Sequence, residues 1–159
     1  MIETGDRAPN FTAPLANGDV ETITLSDGLD EAPIVLAFFP GAFTSVCTDE
    51  MCTFRDQLSA FEDVGATVYG VSVDSPFALN EFRDKHDLSF GLISDFDREI
   101  VDAYGVRMDF EDLGLHGLAK RSVFVIDRDG NVTWTWVSDD PGVEPDYDAV
   151  RAAAAEAAE

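Results

Sequence analysis

Lysine is almost missing from this chain: Lys85 and Lys120 are the only two. Ten Lys and Arg stand against 32 Asp and Glu, for a formal net charge of −22. Phosphate backbones and anionic lipid surfaces repel such a chain, so neither nucleic-acid nor membrane binding is expected. Long apolar runs are missing too. The longest, Ile34 to Phe39, stops at Pro40, far short of the roughly 20 residues that a membrane-spanning helix needs. The start, MIETGDRAPNF, has neither the basic nor the apolar segment of a signal peptide, and a cytoplasmic protein is expected. The two histidines, His86 and His116, stand in no spacing with cysteine that matches a common zinc site. No glycine-rich phosphate loop, nucleotide fingerprint or serine triad is visible, and no cofactor or metal is expected.

Cysteine is equally scarce. Cys47 and Cys52 are the only two, both inside the stretch FFPGAFTSVCTDEMC, Phe38 to Cys52. In a reducing compartment such a pair points to redox or metal chemistry and away from a structural staple.

What the chain does have is the makings of one domain over residues 1–159, with 45% hydrophobic residues and enough length to bury a core without disulfides. The acids are spread along the whole sequence while apolar periodicity survives between them. That pattern is expected of a solvated acidic surface in a salt-loving organism, where salt screens the self-repulsion.

Phe11–Pro14 and Val20–Leu25 flank Asn17-Gly18, a hairpin turn signal. PIVLAFF, Pro33 to Phe39, reads as a strand buried on both faces. The period then changes: Cys47, Met51, Phe54, Leu58 and Phe61 recur at helical spacing, predicting one amphipathic helix that ends near Gly65. A strand over Thr67–Val73, a helix from Ser75-Pro76 to Lys85, a short strand at Leu92–Ser94 and a short helix over Asp97–Tyr104 follow. Val106 to Ala119 reads as loop. Ser122–Asp127 and Asn131–Val137 form a second hairpin through Asp129-Gly130, and a helix from Asp146 closes the chain. The Asp127–Asn131 run echoes a calcium loop only faintly and is read as that hairpin's turn. This order resembles an α/β thioredoxin-like fold, a mixed central sheet flanked by helices, with an N-terminal β-hairpin extension.

A cysteine placed where a buried strand gives way to a helix meets unsatisfied N–H groups and the positive end of the helix dipole. The thiolate is the nucleophile, yet a free thiol with a pKa of about 8.5 is only a few per cent ionised near neutrality. Lowering that value by about 2.5 units takes roughly 3.4 kcal/mol. A helix terminus supplies up to about 2 kcal/mol, so an arginine or lysine from elsewhere in the chain is needed as well. The two cysteines are unequal. Cys47 lies on the apolar stripe, whereas Cys52 lies on the polar flank with Arg55, Asp56 and Ser59. Five helical residues separate Cα atoms by nearly 9 Å, roughly, and a disulfide needs less than about 7 Å. If the two bond, the helix start must unwind.

Pro40, Thr44 and Cys47 in the pattern P-x3-T-x2-C, followed by Thr48, Glu50 and Phe-Arg-Asp at 54–56, resemble the peroxiredoxin active-site signature. The R-S-x-F-x-I-D run at Arg121–Asp127 is similar to the segment carrying that family's active-site arginine, and G-D-x-A-P-N-F at Gly5–Phe11 matches its start. The resemblance implies a thiol peroxidase acting on hydrogen peroxide and organic hydroperoxides, with a thioredoxin-like or other thiol as reductant. It implies Cys47 as peroxidatic nucleophile, Arg121 as the missing positive charge, Thr44 as a hydroxyl for the substrate, Pro40 as a shield against water and Glu50 as the partner that orients Arg121. Cys52 resembles the resolving cysteine of the PrxQ (bacterioferritin-comigratory) subgroup, while A-F-T-S-V-C looks more like AhpE-like and typical two-cysteine groups. A homodimer is left open.

Each residue also has a plainer role: Pro40 as a strand end, Thr44 as a helix cap, Arg121 as a surface residue, Glu50 as a first-turn carboxylate. A thiol-disulfide oxidoreductase and a non-catalytic redox sensor or holdase are the alternative functions. The composition itself predicts a higher melting temperature in molar KCl than in dilute buffer, read by circular dichroism; equal or greater stability in dilute buffer contradicts it.

Overall fold

The computed structural model describes residues 2–159. Asn17 and Gly18 turn the chain between β1 (Thr12–Ala16) and β2 (Val20–Thr24), as expected for the N-terminal hairpin. β3 (Ile34–Phe38) is buried along its whole length. Its side chains alternate between two cores. Val35, Ala37 and the following Phe39 pack with Cys47, Met51, Phe54 and Phe61 on one face. Ile34, Leu36 and Phe38 pack with Ile100, Val101 and Tyr104 on the other. A strand covered on both faces has no position for a polar residue, which is why this run is continuously apolar.

β4 (Thr67–Ser72) and β5 (Leu92–Ser94) run parallel to β3, and β8 (Ser122–Ile126) and β9 (Val132–Val137) add antiparallel strands on its other side. The resulting mixed sheet has the order β2-β1-β5-β4-β3-β8-β9. α3 (Pro76–Lys85) begins as its sequence predicts, with Pro76 in the first turn and the Ser75 hydroxyl accepting from Ala78 N–H. α4 (Glu99–Ala103) is shorter than the expected Asp97–Tyr104. α5 (Tyr147–Ala157) is capped by Asp146, whose carboxylate accepts from Asp148 and Ala149 N–H. The Asp127 carboxylate accepts from Asp129 and Asn131 N–H, which makes that acidic run a hairpin turn. No described helix is long and apolar enough to cross a membrane.

Two expectations are corrected. The single helix expected from Cys47 to Gly65 is two: α1 (Ser45–Asp56) and α2 (Leu58–Asp63). Gln57 leaves helical backbone between them, though bonds from Gln57 N–H to Thr53 O and from Phe61 N–H to Gln57 O bridge the break. The Gln57 side chain accepts from Arg151 of α5, a tertiary contact that apolar periodicity does not register. The stretch Val106–Ala119, read as loop, is a ribbon of β6 (Arg107–Phe110) and β7 (Leu115–Ala119) paired with each other outside the main sheet. Its inward residues Met108 and Phe110 alternate with exposed Arg107 and Asp109, a period of two overshadowed by the glycines at 114 and 117. Gly114 turns the ribbon at a φ of 68°.

Gly70 of β4 sets how closely α1 lies on the sheet. A Cβ there would stand 2.7 Å from Leu92 Cδ2 and 3.1 Å from both Met51 Sδ and Phe39 Cε1. Gly70→Ala is expected to cost about 1–3 kcal/mol through overpacking, seen as a lower urea midpoint; an unchanged midpoint contradicts this packing.

Candidate active site

At the end of β3 the chain turns through Pro40, Gly41, Ala42 and Phe43 before α1 begins. Pro40 is buried and has no N–H to continue a strand ladder. Phe43 takes a left-handed φ of 66°, unusual for an aromatic residue. Its ring is held edge-on against Phe82 of α3 at 5.3 Å, with the Lys85 ammonium 5.8 Å above it. The Asp74 carboxylate fastens the loop from the sheet side, accepting from Ala42 N–H at 2.8 Å and from the Ser72 hydroxyl at 2.7 Å. These contacts fix the direction in which α1 starts.

Thr44 occupies the cap position of α1 in extended backbone, and its C=O accepts from Thr48 N–H. Its side chain makes no capping bond. The hydroxyl instead donates to Gly41 O at 2.8 Å, which orients its lone pairs without occupying them. Thr44 thus holds the cap position of the plainer reading, without a side-chain capping bond.

Cys47 sits in the first turn of α1 with 1% of its surface exposed. The antiparallel register of β3 and β8 sets Phe38 opposite Ser122, which brings the preceding Arg121 to the start of α1 across 74 residues of chain. Arg121 is no surface residue. It is 1% exposed, and each guanidinium nitrogen has an acceptor. Nη2 donates to Cys47 Sγ at 3.0 Å, Nη1 to Glu50 Oε1 at 2.7 Å, and Nε to Pro141 O at 3.0 Å. Burial alone would lower the Arg121 guanidinium; Glu50 and Cys47 outweigh it and hold it above its ordinary range.

Glu50 is fully buried, and its second oxygen, Oε2, has no hydrogen-bond partner. Burial pushes this carboxyl up from 4.5 to about 7 against the pull of Arg121. Tyr147 is raised chiefly by burial, and its hydroxyl donates to Glu144 at 2.6 Å, placing a second carboxylate near the cluster.

Cys52 lies half-buried in the same unbroken α1, and both cysteines are free. Arg55 on its flank donates to His86 O at 2.6 Å and pairs with Asp56 at 2.9 Å, so the later turns of α1 are tied to the end of α3. Among the described residues no three His, Cys, Asp or Glu side chains cluster as metal ligands.

A cavity of about 480 Å³ opens over Cys47, lined by Pro40, Thr44 and Arg121 and by residues the sequence reading passed over. Phe110, Leu113, Leu115 and Leu118 of the β6–β7 ribbon form an apolar wall, and Asp74 and Pro141 contribute polar edges. The ribbon residues were detectable as an alternating segment. Asp74 and Pro141 carried no local signal, because their places depend on where β4 and the segment after β9 come to rest.

A buried thiol, a guanidinium in contact with its sulfur and an open cavity above it suit nucleophilic attack on a small polar substrate. The chain belongs to the AhpC/TSA family, whose profile matches residues 4–135. Within that family it stands with the peroxiredoxins, enzymes of the thiol peroxidase class. It is 42% identical over 133 residues to a Mycobacterium tuberculosis protein provisionally named as a peroxiredoxin, covering 82% of each chain. Peroxiredoxin Bcp of Bacillus subtilis is 35% identical, with 85% of each chain covered. The crystal structure of peroxidoxin BcpB from M. tuberculosis superposes with a TM-score of 0.83 at 32% identity, covering 98% of this chain and 96% of that one.

A group whose folded pKa is raised favours the folded state while protonated, and that contribution is lost as pH rises through the folded value. For Glu50, raised from 4.5 to about 7, the contribution is full below about pH 4.5 and gone above about pH 7. The stability of the wild type relative to Glu50→Gln is therefore expected to fall as pH rises from 5 to 8, by up to roughly 3 kcal/mol, in urea titrations at each pH. A difference independent of pH contradicts the assignment.

Proposed function

We propose that Cys47 is the peroxidatic nucleophile, with Cys52 as its resolving partner. The observation that carries this reading is the Arg121 guanidinium held 3.0 Å from Cys47 Sγ by its own bond to buried Glu50. The Cys47 thiolate attacks the terminal oxygen of the hydroperoxide; an S–O bond forms, the O–O bond breaks, and the departing alkoxide or hydroxide takes a proton to leave as alcohol or water. The sulfur loses two electrons and becomes a sulfenic acid. Nη1 and Nη2 of Arg121 each retain one N–H for the peroxide oxygens, and the Thr44 hydroxyl orients the substrate from the cavity side. Pro40 excludes water beside the sulfur. Glu50 is a positioning residue that acts through Arg121.

Resolution follows when the Cys52 thiol attacks the Cys47 sulfenic acid, forming a disulfide and releasing water. Both cysteines lie in α1, so this step requires its first turns to unwind. Two electrons from a thioredoxin-like dithiol then restore both thiols. A cytoplasmic setting and a homodimer belong to the same reading.

Intact-mass measurement after one equivalent of hydrogen peroxide, with thiols blocked under denaturing conditions, tests both assignments. Wild type is expected to lose two hydrogens within one chain. Cys52→Ser should gain one oxygen on Cys47 at an undiminished first-turnover rate, and Cys47→Ser should lose peroxidase turnover. Equal first-turnover rates in wild type and Cys47→Ser overturn the nucleophile; an overoxidised Cys47 beside a free Cys52 in the wild type overturns the resolving role.

A further inference from the structure

We propose that Glu50 stores the proton that each turnover needs: it is a neutral acid while Cys47 is a thiolate, and it becomes a carboxylate as the sulfur turns into a sulfenic acid. This rests on the peroxidase reading above and adds the proton balance of its first step.

The geometry gives Arg121 two acceptors that compete for one charge. Nη2 donates to Cys47 Sγ at 3.0 Å and Nη1 to Glu50 Oε1 at 2.7 Å, so sulfur and carboxyl share one guanidinium. Cys47, Glu50 and Arg121 are each at most 1% exposed. One buried cation balances one anion, and a second anion beside it has no counter-charge. The other groups that face Glu50 supply no cation: Glu144 lies close enough to oppose its ionisation, and the Tyr147 hydroxyl is donated to Glu144. Lys120, next to Arg121 in sequence, is paired with Asp139.

Which of the two keeps the proton at rest follows from their surroundings. Glu50 is fully buried, and its Oε2 has no donor among the described residues. A carboxylate in that position loses its water without replacement, whereas a neutral carboxyl loses far less. Cys47 instead lines the open cavity of about 480 Å³. Burial raises the Glu50 carboxyl to about 7 even beside Arg121. The negative charge therefore rests on sulfur and the proton on Glu50.

Oxidation reverses this allocation. Attack on the terminal peroxide oxygen forms the S–O bond and breaks O–O; the sulfur loses two electrons and the peroxide gains them. The proton of the terminal oxygen stays with the sulfenic acid, and the departing alkoxide or hydroxide must gain another to leave as alcohol or water. With the sulfur neutral, Glu50 is the one anion left for Arg121, and it ionises. It releases one proton as the leaving group takes one up, so the step draws none from the buffer. Reduction by a dithiol returns a thiol at Cys47, whose proton Glu50 takes up again. Glu50 touches no substrate in this scheme and remains a positioning residue, its charge following that of the sulfur through Arg121.

The test counts protons. Cys52→Ser, which stops at the sulfenic acid, is mixed in stopped flow with one equivalent of hydrogen peroxide, in weak buffer at about pH 6.5 with a pH-indicator dye. It is expected to take up well under half a proton per sulfenic acid formed, whereas Cys52→Ser carrying Glu50→Gln should take up about one, because glutamine has none to release. Equal uptake in the two proteins overturns the proposal. A second readout needs no change at Glu50: infrared difference spectra of Cys52→Ser on oxidation should lose one protonated-carboxyl band, and spectra without that loss overturn the proposal as well. Either result leaves the peroxidase reading standing if hydrogen peroxide still turns over; a wild type that consumes no hydroperoxide overturns both.

Discussion

Burying a guanidinium is the constraint around which this molecule is arranged. Arg121 has lost its water, and a charge taken out of water is tolerated only when its donors are met in place. Glu50, Pro141 and Cys47 meet them from three separate stretches of chain. The register of β3 against β8, the direction of α1 and the course of the segment after β9 must therefore all be right at once. An error in any of them leaves a buried charge short of a partner. The cluster is costly to assemble, which gives it a single geometry, and a single geometry is what a reactive sulfur needs.

Of the cluster, Cys47 was legible from its own surroundings, whereas Arg121 and Glu50 were legible only through the resemblance to the peroxiredoxin motifs, and Pro141 was not legible at all. Cys47 follows a continuous apolar run and opens an amphipathic period, so strand, turn and helix start could be placed from composition alone. Arg121 stands directly before an apolar strand. The residues that escaped notice depend on distant packing. Gln57 interrupts the helix without a glycine or proline, and its side chain meets Arg151 from the far end of the chain. Asp74 looks like any acid in a sequence full of them. The alternation at Met108 and Phe110 was a genuine strand signal, yet two glycines and a high local charge gave it the look of a loop.

Scarcity of base has its own effect on the site. In a chain with net charge −22 the mean field over the surface is negative, and a buried cation within it is the exception. The contact between Arg121 and Cys47 is thus set against the protein's own background. Glu50, drawn into the same pocket, is held between an attractive guanidinium and a loss of solvent, and the loss of solvent prevails. The two halves of α1 do different work: its first half, with Cys47 and Glu50, serves the cluster, while its later residues are tied through Arg55 to the end of α3.

The β6–β7 ribbon pairs only with itself. Its outer residues can therefore vary without disturbing the ladder of the main sheet or the pairing that delivers Arg121. The sheet and α1 hold the buried cluster, while part of the cavity wall comes from a ribbon that pairs with no strand of that sheet. Substitutions at its exposed Leu113 and Leu115 would reshape the mouth of the cavity and leave the ladder that delivers Arg121 intact.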